Sequence, residues 1–490
     1  MKKYFCYFLV IVLILTGCTR NGSSASELTR EFFTGRIEGE ITISAYDSSA
    51  YRSFLEDAAR AFEAMYPGTK VNIETFSAMP EVRTGGDGNN FMLQSMQIQD
   101  DPQSRTDYIN RVSTNIMSGS GADIYAMDIL PLHKFVNSNV LENLDQYMAV
   151  DPGFNKSNYR QNILDASRYQ NGTWFIPLDY SFNYFAYDST LIPANISANF
   201  GINKSFSGED LLRIGMPLYN GTNRLFNQTD YARGRGGMFY MLLNQNIQNF
   251  INLETGRANF TDGRFTSLLN SVRNYSEQGL IPRGVTGQQA GTGRQMMSMS
   301  SASSERFYFK HYNSMNLMSS FTRDTGMFMR MSLTGSAFGI DSDDEIAGIE
   351  ANADGTVPFR YSKGFSINSQ SKNKLTAWTF LKFLLSKDMQ TSANMLSLDF
   401  PVNNEARMER HELTFSNLYR GEMNNQQRQA MQNYTTAVET LSDMINYFVI
   451  QDTNINDMIA QDAQFFFDGS RTADEVARLL QNKTDLYLSE

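Results

Sequence analysis

Apolar and polar residues alternate from Glu40 to Ala45, with Ile41, Ile43 and Ala45 on one face, and this period of two predicts a strand. From Tyr51 to Tyr66 the period lengthens. Phe54, Leu55, Ala58, Ala59, Phe62 and Met65 recur at steps of three and four and lay one apolar stripe along a helix. Pro67-Gly68 stops it, and Lys70 to Phe76, with Val71 and Ile73 on one face, predicts a second strand. Strand, helix and strand in this order imply a parallel pair joined by a right-handed crossover, hence an α/β chain.

The pattern recurs with variations. Arg111 to Met117 predicts a helix, and Ala122 to Met127 a short buried strand ending at Asp128. Pro131 to Ser138 and Leu141 to Met148 predict short helices, whereas Trp174 to Pro177 and Ser181 to Tyr187 read as extended. Ser207 with Asp210, and Thr472 with Glu475, have the spacing of capping boxes. Phe265 to Gln278 and Thr376 to Leu385 predict helices, the second strongly apolar and placing Trp378 in a core; a terminal helix carries Val476, Leu479, Leu480 and Tyr487 on one face. The Gly-, Asp-, Asn- and Gln-rich stretch Thr84 to Gln103 predicts a surface insertion, and acidic Asp341 to Asn352 a solvated loop.

The first residues read as an export signal. Lys2 and Lys3 precede an apolar run, Tyr4 to Leu15, that is shorter than the roughly 20 residues a spanning helix needs. Leu15-Thr16-Gly17-Cys18 resembles the bacterial lipobox, which implies that Cys18 is acylated and begins the mature protein. Thr19 to Glu27 is small and polar and reads as a flexible leash.

Composition narrows the chemistry. The 490 residues exceed one core and imply at least two lobes. Cys6 and Cys18 are the only cysteines, so the body holds no disulfide, cysteine-rich zinc site or cysteine nucleophile. A formal charge of −10 argues against nucleic acid. His133, His311 and His411 stand far apart in no metal spacing, and Gly234-Arg235-Gly236-Gly237 reads as a turn. Asp341-Ser342-Asp343-Asp344 alternates carboxylates but lacks the glycine and glutamate of a calcium loop. No metal and no cofactor are expected.

Several stretches together resemble the bacterial solute-binding lipoproteins of sugar importers, related in plan to maltose-binding protein. They are Phe62 to Gly68 with Val71-Asn72-Ile73, Ser118 to Tyr125, Asn171 to Pro177 with Phe185 to Asp188, Gly364 to Asn368 with Phe400 to Asn403, and Phe467 to Ser470. The chain departs from the family at Ala122, where proline is usual, and in having only Trp174 and Trp378.

The resemblance implies a two-lobed periplasmic-binding-protein-like fold, a Venus flytrap with a hinge crossed about three times, near Leu178 to Asn183, Ser362 to Phe365 and Asp399 to Asn403. The expected division is 1–17 signal peptide, 18–36 lipidated cysteine and linker, 37–180 plus 365–400 first lobe, and 181–364 plus 401–490 second lobe. Ligand is expected in the cleft at the carboxyl ends of the strands. Candidate ligand-binding residues are Tyr46, Asp47, Asp128, Asp179, Tyr180 and Tyr184, with Gly364 and Phe365 at the return crossing; Ser303, Ser304 and Glu305 form a weaker set. Planar rings to stack on a sugar and carboxylates to take its hydroxyls are the chemistry sought. The partners implied are a small-molecule ligand, carbohydrate first, the permease subunits of an ABC importer and a membrane reached through the lipid anchor. A monomer that binds and does not catalyse is expected. A non-sugar ligand such as a peptide, polyamine or phosphate ester, a sensor role, and an exported carbohydrate-active enzyme stay open.

Overall fold

The computed structural model describes residues 28–46, 49–76, 102–231, 237–284, 305–322, 343–392, 399–419, 422–450 and 452–489. Strand β1 (Gly39–Tyr46), the helix Ser49–Met65 and β2 (Thr69–Phe76) form the expected parallel unit, in register from Gly39 opposite Thr69 to Tyr46 opposite Phe76. Ile41, Ile43 and Ala45 turn inward onto Phe54, Leu55, Ala58 and Phe62. Each larger side chain buried there contributes roughly 1.5–3 kcal/mol, which fixes the helix on the sheet. The helix Pro102–Met117 leads into β3 (Ile124–Ala126), parallel to β1 on its other side.

The remaining strands are β4 (Ile176–Pro177), β5 (Asp179–Tyr180), β6 (Asn183–Asp188), β7 (Ser205–Phe206), β8 (Arg224–Phe226), β9 (Ile251–Asn252), β10 (Arg257–Ala258), β11 (Phe307–Asn313), β12 (Asp344–Glu350), β13 (Pro358–Phe359), β14 (Gly364–Ile367), β15 (Phe400–Pro401) and β16 (Tyr447–Phe448). Two five-stranded sheets result, ordered β2-β1-β3-β14-β4 and β7-β12-β6-β11-β8. Each anchors its own lobe. The fold class is the two-lobed α/β arrangement that the sequence implies.

The chain passes between the lobes three times. The first passage runs from β4 through β5 to β6, and the second from β12 to β14. The third differs from expectation. Residues 399–403 do not leave the first lobe, because β15 pairs antiparallel with β5 and turns the chain back at the waist. The helices Asn404–Tyr419 and Asn425–Asp443 then bury Phe415, Tyr434, Val438 and Leu441 in the core shared with β1. Only after β16 does the chain enter the second core, where Ile455, Ile459, Phe466, Val476 and Leu480 pack. The third passage is therefore at 449–454, and the cores split the expected 401–490 block in two.

The acidic composition of Asp341 to Asn352 predicts a loop, yet residues 344–350 form the inner strand β12. Its terminal carboxylates, Asp344 and Glu350, are buried but paired. Lys310 Nζ donates to both Asp344 oxygens at 2.8 and 2.9 Å, and the amides of Asn183 and Gln245 donate to Glu350 at 2.7 Å each. A shift in register falls between Ile346 and Gly348, where a Cβ on Gly348 would stand 2.5 Å from the Lys204 carbonyl oxygen.

Smaller adjustments follow the same logic. The helix foreseen at Leu141 is Asp145–Val150, since Leu141 bridges to Asn368 beside β14. Within the expected linker, Arg30–Thr34 forms a 3-10 turn whose Phe32 and Phe33 meet the Tyr147 ring edge-on. Trp378 is fully buried and donates its indole N–H to Asp151 at 2.6 Å. Both capping boxes form, Asp210 accepting from the Ser207 N–H and Glu475 from the Thr472 N–H. Cys18 and most of Thr84 to Gln103 lie outside the described residues. No described helix is long and apolar enough to cross a membrane.

Candidate functional site

The loop leaving the carboxyl end of β3 is pinned at once: the Met127 N–H donates to the Gly364 carbonyl at 2.8 Å, and the Tyr361 hydroxyl donates to the Met127 carbonyl at the same distance. Asp128 follows. With Met127, Leu130 and Leu132 it forms one wall of a pocket of about 100 Å³. Arg360 and Tyr361 from the second passage, and Phe448, Val449 and Ile450 from the third, complete the lining. The pocket thus sits where the strands of the first sheet end and the passages meet, the position an open α/β sheet reserves for ligands.

Three phenols lie near enough to Asp128 to feel its charge. Burial first, with the Asp128 charge adding to it, pushes the hydroxyls of Tyr51, Tyr108 and Tyr361 above their ordinary value. Each stays a neutral hydroxyl able to donate or accept. The Tyr51 ring lies 5.8 Å from that of Phe365, and Tyr46, half-buried at the end of β1, lies 5.6 Å from Tyr108.

Beneath the pocket the passages are tied together. Asp179, fully buried, accepts from the Ser362 N–H at 2.8 Å, the Ser362 hydroxyl at 2.7 Å and the Lys363 N–H at 3.0 Å, with Lys363 Nζ at 3.8 Å. Ser181 and Arg360 exchange backbone hydrogen bonds at 2.8 and 2.9 Å. Asp399, beside β15, has its carboxyl raised by burial and by the neighbouring Asp179 charge. These contacts make a three-strand waist.

Of the expected site residues, Asp128 lines the pocket and Tyr46 stands next to its tyrosine ring cluster. Asp179 serves the waist. Tyr180 is buried and donates to Ser442 at 3.1 Å, while Tyr184 is buried beside Tyr312, ring centroids 5.7 Å apart. Phe365 is fully buried, and a Cβ on Gly364 would meet the Tyr361 ring at 2.8 Å. Asp47, Ser303 and Ser304 lie outside the described residues, and Glu305 pairs with Arg224. Tyr51, Arg360 and Tyr361 went unrecognised. Tyr51 opens the helix after β1 and Tyr361 stands three residues before Gly364, so proximity to strand ends was the available signal.

A larger pocket of about 400 Å³ lies between Arg168, Tyr169 and Gln170 of the first lobe, residues 247–254 of the second, and the third passage. It shares Phe448, Val449 and Ile450 with the Asp128 pocket, so the passage separates the two. Its first-lobe wall comes from the turn before β4, the edge strand, and not from the carboxyl ends of β1 and β3. The smaller pocket takes its first-lobe wall from the loop after β3. Among the described residues no group of three or more His, Cys, Asp or Glu is disposed to hold a metal ion.

The model of one family, bacterial extracellular solute-binding protein, matches residues 94–409, more than half of the chain. No curated protein matches. Solved structures share the fold. The sugar-binding protein MalE from Xanthomonas citri superposes with a TM-score of 0.55 at 12% identity, covering 92% of this chain and 98% of its own. An extracellular solute-binding protein family 1 member from Alicyclobacillus acidocaldarius gives 0.54 at 16% identity, covering 93% and 100%. An ABC substrate-binding protein from Listeria monocytogenes in complex with cycloalternan gives 0.52 at 14%, covering 92% and 99%.

Proposed function

Because the chain belongs to the bacterial extracellular solute-binding proteins, we propose that it is the capture subunit of an ABC importer, taking a sugar or oligosaccharide between its lobes and delivering it to the permease. The observation that carries this reading is the Asp128 pocket, walled by the first lobe and by two interlobe passages. Asp128 accepts from ligand hydroxyls; Arg360 offers donors from the opposite side, and Tyr361, its hydroxyl given to Met127, offers its ring. Tyr46, at the end of β1, extends the site. Sugar ligands in fold relatives from Xanthomonas citri and Listeria monocytogenes support carbohydrate as the class.

The lobes divide as 37–180 with 364–448 and 181–363 with 449–489. The protein acts as a monomer, bound to the outer face of the cell membrane through acylated Cys18, and is not an enzyme. Replacing Cys18→Ser tests the anchor: the chain should leave the membrane fraction, and retention there contradicts it.

Ligand class is tested by thermal shift against mono- and oligosaccharides, with amino acids, peptides and polyamines as controls. A ligand at a hundred times its dissociation constant adds about 2.7 kcal/mol to stability. A shift with one sugar class supports the reading. A shift with an amine or peptide alone keeps the fold and removes the sugar.

A further inference from the structure

Beside the Asp128 pocket its two walls continue into a polar seam that joins the lobes directly. The first lobe contributes Arg105 at the start of the helix Pro102–Met117, and His133 and Lys134 on the helix Leu132–Asn137, only a few residues past Asp128. The second contributes Asp452, Asn454 and Asp457, at the start of the helix Thr453–Phe467 and just past Ile450, together with Tyr487 of the terminal helix Ala473–Ser489.

Arg105 pairs with Asp457 at 2.9 Å, with side chains only 12% and 18% exposed. Thr106 donates to Asn454 at 3.5 Å. Lys134 Nζ donates to the Tyr487 carbonyl at 2.9 Å and lies 3.6 Å from the centre of the Tyr487 ring. The Tyr487 hydroxyl in turn donates to Asp452 Oδ2 at 2.9 Å, and the same oxygen stands 3.6 Å from His133 Nε2. Asp452 Oδ1 meanwhile caps its own helix by accepting from the Ile455 N–H at 3.1 Å. One bank is basic and the other acidic, and each is held by the core of its own lobe.

We propose that this seam is a latch that holds the two lobes closed before any ligand is bound. The lobes are also joined by the waist and by the packing of the helix Leu317–Thr322 on Asn425–Asp443, where Phe321 meets Tyr434, but opening at this edge must break the pairs together. Being screened from water, they lose less to solvent than surface pairs do. Ligand then enters by way of an opening that costs the latch, and its apparent affinity falls with the fraction of molecules open. The latch rests on the two-lobed architecture and gives the capture reading a resting state; its test uses no ligand, so it can fail or succeed independently of the sugar assignment.

The experiment is a pulsed electron–electron distance measurement on the full chain with Cys6→Ser and Cys18→Ser, spin-labelled at Met117→Cys in the first lobe and Met216→Cys in the second, both exposed. Without ligand, the parent should show a predominantly short-distance population. Asp457→Arg, which places like charges together, should raise the open-to-closed ratio about tenfold, equivalent to about 1.4 kcal/mol. The exchanged pair Arg105→Asp with Asp457→Arg should restore the parent distribution. Raising salt to about 1 M should open the parent far less than Asp457→Arg does, because pairs so little exposed are only weakly screened. A circular dichroism melt confirms that each variant is folded, and the exchanged pair separates a lost contact from a lost fold. Distance distributions that coincide for parent and Asp457→Arg overturn the latch.

Discussion

The Asp179 carboxylate receives both the backbone N–H and the hydroxyl of Ser362, at 2.8 and 2.7 Å, and so fastens the first passage between the lobes to the second. With the Lys363 N–H also donating, three donors of that turn converge on one buried anion. The rest of the waist hangs on this arrangement, because β5 carries Asp179 and β15 pairs with β5.

Replacing Asp179→Ala should therefore cost about 3–5 kcal/mol, the usual penalty for leaving buried partners of an ion pair unmatched. Asp179→Asn keeps the shape and some of the acceptor capacity and should cost less. Urea unfolding midpoints check both. Equal stability of the alanine variant and the parent would show that the waist does not depend on this carboxylate.

His411 is buried between Phe400 and Tyr434, ring centroids 6.0 and 5.1 Å away. Burial first, with Arg407 and Arg410 adding to it against Glu439, lowers its pKa from 6.5 to about 4. The folded state thus resists a proton that the unfolded state takes up. Stability is full above pH 6.5 and declines as pH falls through about 4, by roughly 3 kcal/mol over the interval. His411→Phe should flatten this decline relative to the parent, measured as urea midpoints at pH 7 and 4.5. An identical acid slope in the variant would assign the decline elsewhere.

Gly348 permits β12 to lie against Lys204 despite the register shift. Gly348→Val should cost about 1–3 kcal/mol, since a backbone neighbour cannot yield as a flexible side chain can. The check is the melting temperature of the variant; an unchanged value would mean that β12 has room the structure does not show.

What the sequence disclosed and what it hid divide along physical lines. The β1–helix–β2 unit was readable because one apolar stripe and one alternating strand meet in a single core within 40 residues of chain. β12 was not readable, because Asp344 and Glu350 look solvated until Lys310, Asn183 and Gln245 are brought in from distant segments. Asp128 was legible as the residue after a buried strand. Arg360, Tyr361 and Phe448 to Ile450 were not, since only the folded waist places them opposite it. Likewise the third passage was set too early: Phe400-Pro401 reads as a crossing, but its pairing with β5 returns the chain to the first core.

The central claim is that ligand is held between the lobes over Asp128. Isothermal titration of the parent and of Asp128→Ala with the sugar that gives the largest thermal shift tests it most directly. Losing an acceptor that binds ligand hydroxyls as an anion should weaken affinity by about 1.5–3 kcal/mol, roughly tenfold to more than a hundredfold, while the melting temperature without ligand stays close to the parent's. Equal affinity for the two proteins would contradict the account and move the ligand away from this pocket.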